Sequence, residues 1–305
     1  MSTMKIRLHQ TRQACRIHGG PLKMLTAAAG VRLSRIPIPT AMFRRKVFGM
    51  LYGGKYETLD EQELEKPLEQ YRSLNELFTR GVPRKLRPVS DRADVFLSPV
   101  DGTVQDIGQL SDDTVLTVKG IPYTLSSLCP ETDTEPFRDG SFAILFLSPR
   151  NCHRVFSPAQ GCLQRLVHVP GHRLLVHPPF QTPEFPVFSL NERLIMQLDT
   201  IHGRCLVIMV AGWGVGNITH PFPLSRRISP RRVSVTPLQP PRNVERSEWI
   251  ATFELGSTVI LITERGRVER PLLERDQTLQ FGQPLFKTSP AVCLTEVSDG
   301  GGHTR

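Results

Sequence analysis

The sequence predicts an α+β protein, a β-rich body behind a basic helical N-terminal arm, and three observations carry that expectation. Short segments rich in Val, Ile, Leu and Phe recur between turn residues from Val95 to Thr263. The 26 prolines and 23 glycines are scattered along the 305 residues instead of forming one linker, as many turns between short strands require. The first 56 residues hold eleven Lys and Arg and no Asp or Glu, so the front of the chain differs in kind from the rest. With 39% hydrophobic and 22% charged residues the chain carries enough apolar material for a core, which excludes disorder throughout.

The arm, residues 1–58, holds the basicity. Lys5, Arg7, Arg12, Arg16, Lys23, Arg32, Arg35, Arg44, Arg45, Lys46 and Lys55 leave 27 basic against 29 acidic residues for the remainder, so the net charge of +9 belongs to the arm. Leu22, Met24, Leu25, Val31, Leu33 and Ile36, then Met42, Phe43, Val47, Phe48, Met50 and Leu51, supply apolar faces beside those charges, the make-up of interfacial helices. Basic charge also suits a targeting peptide or nucleic acid, but the aromatic interleaving of single-strand binders is missing before Phe43. The longest apolar run, 205–218, is too short and too glycine-broken to span a bilayer. The expectation is a chain that lies on an anionic membrane without crossing it and binds no nucleic acid.

Residues 59–305 form the expected second unit. Leu64, Leu68, Tyr71, Leu74, Leu77 and Phe78 fall at helical spacing and predict a helix over 59–80, ended by the breakers of 81–88. Strands are predicted over 95–97, 114–118, 141–147, 162–169, 193–198, 205–210, 249–255 and 257–263. A weak internal repeat sets Ser98-Pro-Val-Asp-Gly-Thr-Val-Gln105 against Ser157-Pro-Ala-Gln-Gly-Cys-Leu-Gln164, each a turn entering a strand. Two equivalent turns would put Asp101 and the segment before Ser157 at related points of a folded-over sheet. The six cysteines show no CxxC pair and no metal-ligand spacing, so a reducing compartment and no metal are expected.

The sharpest chemical signal is Phe253-Glu-Leu-Gly-Ser-Thr-Val-Ile-Leu-Ile262, an apolar strand interrupted by Gly256 and Ser257. Such a pair is commonly a bulge or hairpin. Its chemical reading is attack of Ser257 Oγ on the Gly256 carbonyl, where the absent Cβ permits strained backbone. An ester replaces the peptide bond, loss of the Ser257 α-proton eliminates it, and hydrolysis of the dehydroalanine leaves a pyruvoyl group. Gly212-Trp-Gly214-Val-Gly216 lacks the spacing of a dinucleotide fingerprint and reads as a tight glycine path. Asn191, Glu192 and Arg193 are candidates for hydrogen bonds to a substrate phosphate or for a structural ion pair at a strand start.

Taken together, Leu255-Gly-Ser-Thr258, Ser98-Pro-Val-Asp-Gly-Thr-Val104, Leu147-Ser-Pro-Arg-Asn-Cys-His-Arg-Val155, Asn191-Glu-Arg193 and Val210-Ala-Gly-Trp-Gly-Val-Gly216 resemble the successive motifs of phosphatidylserine decarboxylases. Tyr71-Arg-Ser-Leu-Asn-Glu-Leu-Phe-Thr-Arg80 and Arg87-Pro88 extend the resemblance over most of the chain. It implies a self-cleaving proenzyme whose β chain ends at Gly256 and whose α chain, 257–305, starts with a pyruvoyl made from Ser257. The two chains stay together as a heterodimer, and the pyruvoyl decarboxylates phosphatidylserine to phosphatidylethanolamine through a Schiff base without a metal. It implies Asp101 as the carboxylate that orients a histidine, and His153 as the proton carrier of decarboxylation. Asn191, Arg193 and Gly214 are the substrate-binding candidates. The implied location is the cytoplasmic face of a bacterial membrane, or the mitochondrial inner membrane in a eukaryote. The sequence departs from the pattern at Phe156, where a second histidine, linked to self-cleavage, is expected; Cys152 and Ala251 replace a usual Tyr and Gly. Either His153 serves both steps, or His168, His172, His177 or His202 substitutes, or the chain stays unprocessed. A related aminophospholipid is the alternative substrate.

Overall fold

The computed structural model describes residues 32–52, 59–116, 121–174, 176, 186–212, 218–222, 232–254 and 257–290. Short α-helices among them include α1 (Ala41–Tyr52), α2 (Leu74–Phe78), α3 (Leu125–Leu128) and α4 (Val187–Leu190). The strands are β1 (Val95–Leu97), β2 (Gly102–Gln109), β3 (Thr114–Leu116), β4 (Pro122–Thr124), β5 (Ser141–Leu147), β6 (Arg154–Phe156), β7 (Gly161–Val169) and β8 (Arg193–Thr200). They continue with β9 (Gly203–Ala211), β10 (Ile218–Thr219), β11 (Ser234–Val244), β12 (Trp249–Phe253), β13 (Ser257–Thr263), β14 (Val268–Pro271), β15 (Thr278–Leu279) and β16 (Pro284–Thr288). The β-rich α+β expectation holds.

Eight strands form one antiparallel sheet in the order β11-β7-β8-β9-β13-β5-β2-β15. Two three-stranded sheets, β10-β12-β6 and β1-β16-β14, accompany it. Strands β5, β9 and β13 lie at the middle and are covered on both faces, which is why they read as continuous apolar runs and not as alternating patterns. On one face Ala143, Leu145, Val207, Met209, Val259 and Leu261 pack against Phe96, Val155, Ala251, Phe253 and Phe286 of the smaller sheets. On the other, Ile144, Ile208, Ile260 and Ile262 meet Tyr123, Leu125, Phe137 and Phe188. The outermost strand β11 carries Pro237, Pro240 and Pro241, and only an edge accommodates residues that cannot donate to a ladder.

The internal repeat is a structural one. Leu97 N–H donates to Pro158 O and Phe156 N–H to Pro99 O, both at 2.8 Å, so the two turns bind each other reciprocally. Ser98 Oγ–H bonds Val100 O at 2.7 Å, and Ser157 Oγ–H bonds Ala159 O at 2.6 Å. Ser98 exchanges backbone bonds with Gly282 and Gln283 as Ser157 does with Ser247 and Glu248, and both Gly282 (φ +85°) and Ser247 (φ +56°) are left-handed. The result is a pseudo-two-fold crossing just before Asp101 in the chain.

The helix expected over 59–80 does not form as one element. Pro67 disfavours helical geometry at Lys66 and lacks an amide hydrogen, so only short 3-10 turns stand at Glu61–Glu63 and Leu68–Gln70. Ser73 Oγ then accepts the Glu76 amide at 3.1 Å and starts α2. The apolar spacing served tertiary packing instead: Leu64, Leu68, Tyr71 and Leu77 close around Phe48 of α1.

Candidate active site

Ser257 opens β13 between two strands, its backbone in register with Leu147 of β5 and Ala211 of β9. Thr103 of β2 pairs with Phe146, which carries the row outward so that Gly102 faces Leu147. A Cβ on Gly102 would sit 2.3 Å from Phe146 O, so the close approach of β2 depends on glycine here. Asp101 therefore enters its strand two strands from Ser257, roughly 10 Å away by ordinary strand spacing. Gly256 and Gly214 lie outside the described residues.

His153 is completely buried and tied to the chain just ahead of Ser257. Phe253 N–H donates to His153 O at 3.0 Å. The ring packs on Phe78, centroids 3.8 Å apart. Nδ1 lies 2.9 Å from Asn151 O, and since a carbonyl only accepts, Nδ1 carries the proton and Nε2 is left as the free base. Nε2 is buried with no hydrogen-bond partner among the described residues. Burial first, and then the charge of Arg80, push the imidazole pKa down to about 3, so the ring is neutral at physiological pH.

Asp101 is 2% exposed and is held by a guanidinium and an amide. Arg87 Nε donates to both carboxylate oxygens at 3.1 Å and Nη2 to Oδ2 at 2.8 Å, while Phe281 N–H donates to Oδ1 at 2.9 Å. Nη2 also reaches Glu63 at 2.7 Å. Burial alone would lower the Arg87 pKa, but the hydrogen bonds and charges of Asp101 and Glu63 outweigh it and raise it. A cleft of about 520 Å³ opens beside this pair, bordered by Gly102, Phe146, Ser148, Arg150 and Asn151.

Comparison with known proteins places the chain in a family. The family model described as phosphatidylserine decarboxylase matches residues 74–287. The chain belongs to the phosphatidylserine decarboxylase family. A phosphatidylserine decarboxylase proenzyme of Myxococcus xanthus is 32% identical over 249 residues, 81% of this chain and 88% of that protein. Those of Marinobacter nauticus (31% identical, 77% and 84%) and Nitrosococcus oceani (32%, 83% and 83%) are similarly related.

Within this decarboxylase fold, Phe156 fills the place where the motif leads one to expect a second histidine. Its ring stacks on Phe281 at 3.9 Å, with Arg84 over both rings. Val82, Cys152 and Leu86 complete the apolar cluster, and burial, then the charge of Asp101, push the Cys152 thiol up to about 12, so it is no nucleophile. Of the four substitute histidines, His202 stands at the β8–β9 turn, the end of β9 remote from Ala211. His168 bonds Glu192 at 3.0 Å but lies three strands from β13, roughly 14 Å by strand spacing. His172 bridges Asn191 through backbone, and His177 is outside the described residues. His220, not singled out from sequence, follows β10 on the far side of β12 from His153; burial lowers its pKa, and its Nδ1 has no hydrogen-bond partner among the described residues.

Asn191 and Arg193 sit at the start of β8, two strands from Ser257 on the side opposite Asp101. The Asn191 amide donates to Ala211 O at 2.7 Å and Leu174 O at 3.0 Å, so it fastens the residue paired with Ser257. Arg193 gives its hydrogens to the carbonyls of Ser127, Leu128, Ser189 and Asn191, which clamps α3 and α4 onto β8. Burial among these neutral acceptors lowers its pKa to about 10. Arg87 and Glu254 were not assigned roles from sequence; only the Arg87-Pro88 motif hinted at the first. Among the described residues no group of three His, Cys, Asp or Glu is placed to hold a metal ion.

Proposed function

We propose that this chain cleaves itself between Gly256 and Ser257 and decarboxylates phosphatidylserine to phosphatidylethanolamine with a pyruvoyl formed from Ser257. The observation that carries the reading is the buried, unprotonated Nε2 of His153, on a residue hydrogen-bonded to Phe253, four positions before Ser257. A neutral imidazole held by its Nδ1–H against Asn151 O is a general base kept in one tautomer. The unpaired nitrogen fits a site where a carbonyl group at position 257 and an amine substrate meet, since a buried acceptor without a partner awaits one. A pyruvoyl group there would supply an electron sink for the carbanion left when carbon dioxide departs. His153 Nε2 would take a proton from the substrate ammonium as it condenses with the pyruvoyl carbonyl and deliver it to Cα once carbon dioxide has left, and the polar cleft beside Asp101 and Arg87 would receive the headgroup. Burial of the ring limits solvent screening and so strengthens these contacts.

The arm, 1–58, serves in this reading as the membrane-docking unit and 59–305 as the catalytic one. Leu33, Ile36, Met42, Phe43 and Met50 are exposed on it beside Arg32, Arg44, Arg45 and Lys46. Each such basic residue near an anionic surface contributes about 1 kcal/mol. No helix among the described residues is long and apolar enough to cross a membrane.

Intact-mass spectrometry tests the reading. Expected are two chains meeting at the 256/257 bond, the second lighter by one ammonia than a serine terminus, and carbon dioxide released from phosphatidylserine liposomes. A single full-length mass in protein that still releases carbon dioxide would overturn it. A second reading, an unprocessed lipid-binding relative, draws on Asp101, whose partners are Arg87 and a backbone amide where a histidine was expected. It requires an intact chain, no carbon dioxide and no carbonyl reactive toward hydroxylamine.

A further inference from the structure

The arm and the scissile segment touch through one ion pair, and we propose that Arg35 is a positioning residue for self-cleavage, acting through Glu254. The inference rests on the proposed cleavage at Gly256–Ser257. The segment in question is short and fixed at both ends. Phe253 is held by His153 O and by register with Ile218 of β10, and Ser257 is held between Leu147 and Ala211. Residues 254–256 bridge these two anchors, and Glu254 is the described side chain among them.

Glu254 is 14% exposed and its carboxylate is bonded by Nη2 of Arg35, which lies 219 positions away in the sequence. Arg35 does not reach it from a free tail. Its turn is closed by the Arg35 and Ile36 amides bonding Arg32 O and Leu33 O, and the following chain is fastened where Ile38 N–H donates to Arg72 O at 2.7 Å. Further along, Arg44 bonds Glu69 O at 2.8 Å, and Phe48 is fully buried against Leu64 and Leu68. The guanidinium is thus presented by a scaffolded part of the arm to a mostly buried carboxylate.

Attack by a hydroxyl on the preceding carbonyl needs that peptide in a rare conformation, so restricting the few torsions between two fixed ends raises the fraction of time spent there. Holding Glu254 removes freedom from the first of three residues. It also pairs a carboxylate two residues before the carbonyl that becomes an oxyanion during attack, where an unpaired negative charge would oppose the reaction. Arg35 touches no reacting atom in this account; its effect passes through Glu254.

Pulse-labelled full-length chain made by cell-free translation, followed on a gel, tests the proposal. Arg35→Ala is expected to slow chain splitting on the order of ten-fold, equivalent to about 1.4 kcal/mol of barrier. Arg35→Lys, which keeps the charge, stays near the original rate, and Arg35→Glu is slower than alanine. The reversed pair Arg35→Glu with Glu254→Arg recovers most of the rate, which shows that the two residues act as a pair, while a merely structural pair would lower the melting temperature of the single variants without slowing splitting in the folded chain. Melting curves of the same variants carrying Ser257→Ala, which cannot split, establish that each is folded. Equal rates for the original chain and Arg35→Ala, or a reversed pair no faster than Arg35→Glu, would overturn the inference and leave the cleavage reading standing. An original chain that never splits would overturn both.

Discussion

Replacing Arg87 by alanine strikes the buried charge pair around which the candidate site is built. Asp101 and Arg87 are 2% and 4% exposed, and the guanidinium supplies three of the contacts to the carboxylate. Without it Asp101 keeps only the Phe281 amide, and a buried carboxylate with one donor is far from compensated. Breaking one side of a buried pair costs about 3–5 kcal/mol. The surviving amide bond, and a Glu63 partner that is 26% exposed and so regains water, put the expected loss near the lower end, about 3 kcal/mol. Arg92, paired with Asp94 where both are nearly half exposed, is the matched control, and Arg92→Ala should cost far less because solvent screens an exposed pair. Urea unfolding in a Ser257→Ala background measures both without interference from chain splitting. A loss for Arg87→Ala no larger than that for Arg92→Ala would refute the argument that this pair is desolvated.

Three other outcomes are expected. Burial, then the charge of Arg80, hold the folded His153 pKa at about 3 against an ordinary 6.5, so below pH 6.5 the unfolded chain binds a proton that the folded one refuses. The stability from its neutral state is complete above pH 6.5 and falls by up to about 1.4 kcal/mol per unit as pH drops toward 3; the difference between original and His153→Asn unfolding curves should show that slope, and parallel curves would contradict it. Gly102→Ala should destabilise by about 2 kcal/mol or more because its Cβ meets Phe146 O at 2.3 Å, whereas Gly108→Ala, whose nearest contact is 3.6 Å, should be near neutral by calorimetry. Phe156→His should speed chain splitting on a gel time course, because the Phe156 amide bonds Pro99 O two residues before Asp101 and its ring stacks on Phe281, whose amide binds Asp101; an unchanged or slower rate would show that position 156 is not part of the processing apparatus.

The central strands were legible because burial on both faces leaves a local mark: 141–147, 205–210 and 257–263 have apolar runs without alternation and correspond to β5, β9 and β13. The turn repeat was legible as shared Ser, Pro and Gly, though its reciprocal hydrogen bonding was not. The predicted helix over 59–80 failed because helical spacing of Leu64, Leu68 and Tyr71 also suits irregular chain wrapped around Phe48. β11 went unseen because Pro237, Pro240 and Pro241 argue against a strand unless its edge position is known.

By itself the sequence determined the β-rich class, the basic arm and the chemistry-bearing motifs that identify the family, since each is a property of residues close together along the chain. Only the tertiary structure decided which groups meet: Arg87 with Asp101, Phe156 with Phe281, Arg35 with Glu254, and His153 with an unpaired nitrogen. The physical reason is that a charge or ring acquires its pKa and its partner from whatever the fold packs against it. Those neighbours come from positions as distant as 219 residues, with no local pattern to announce them.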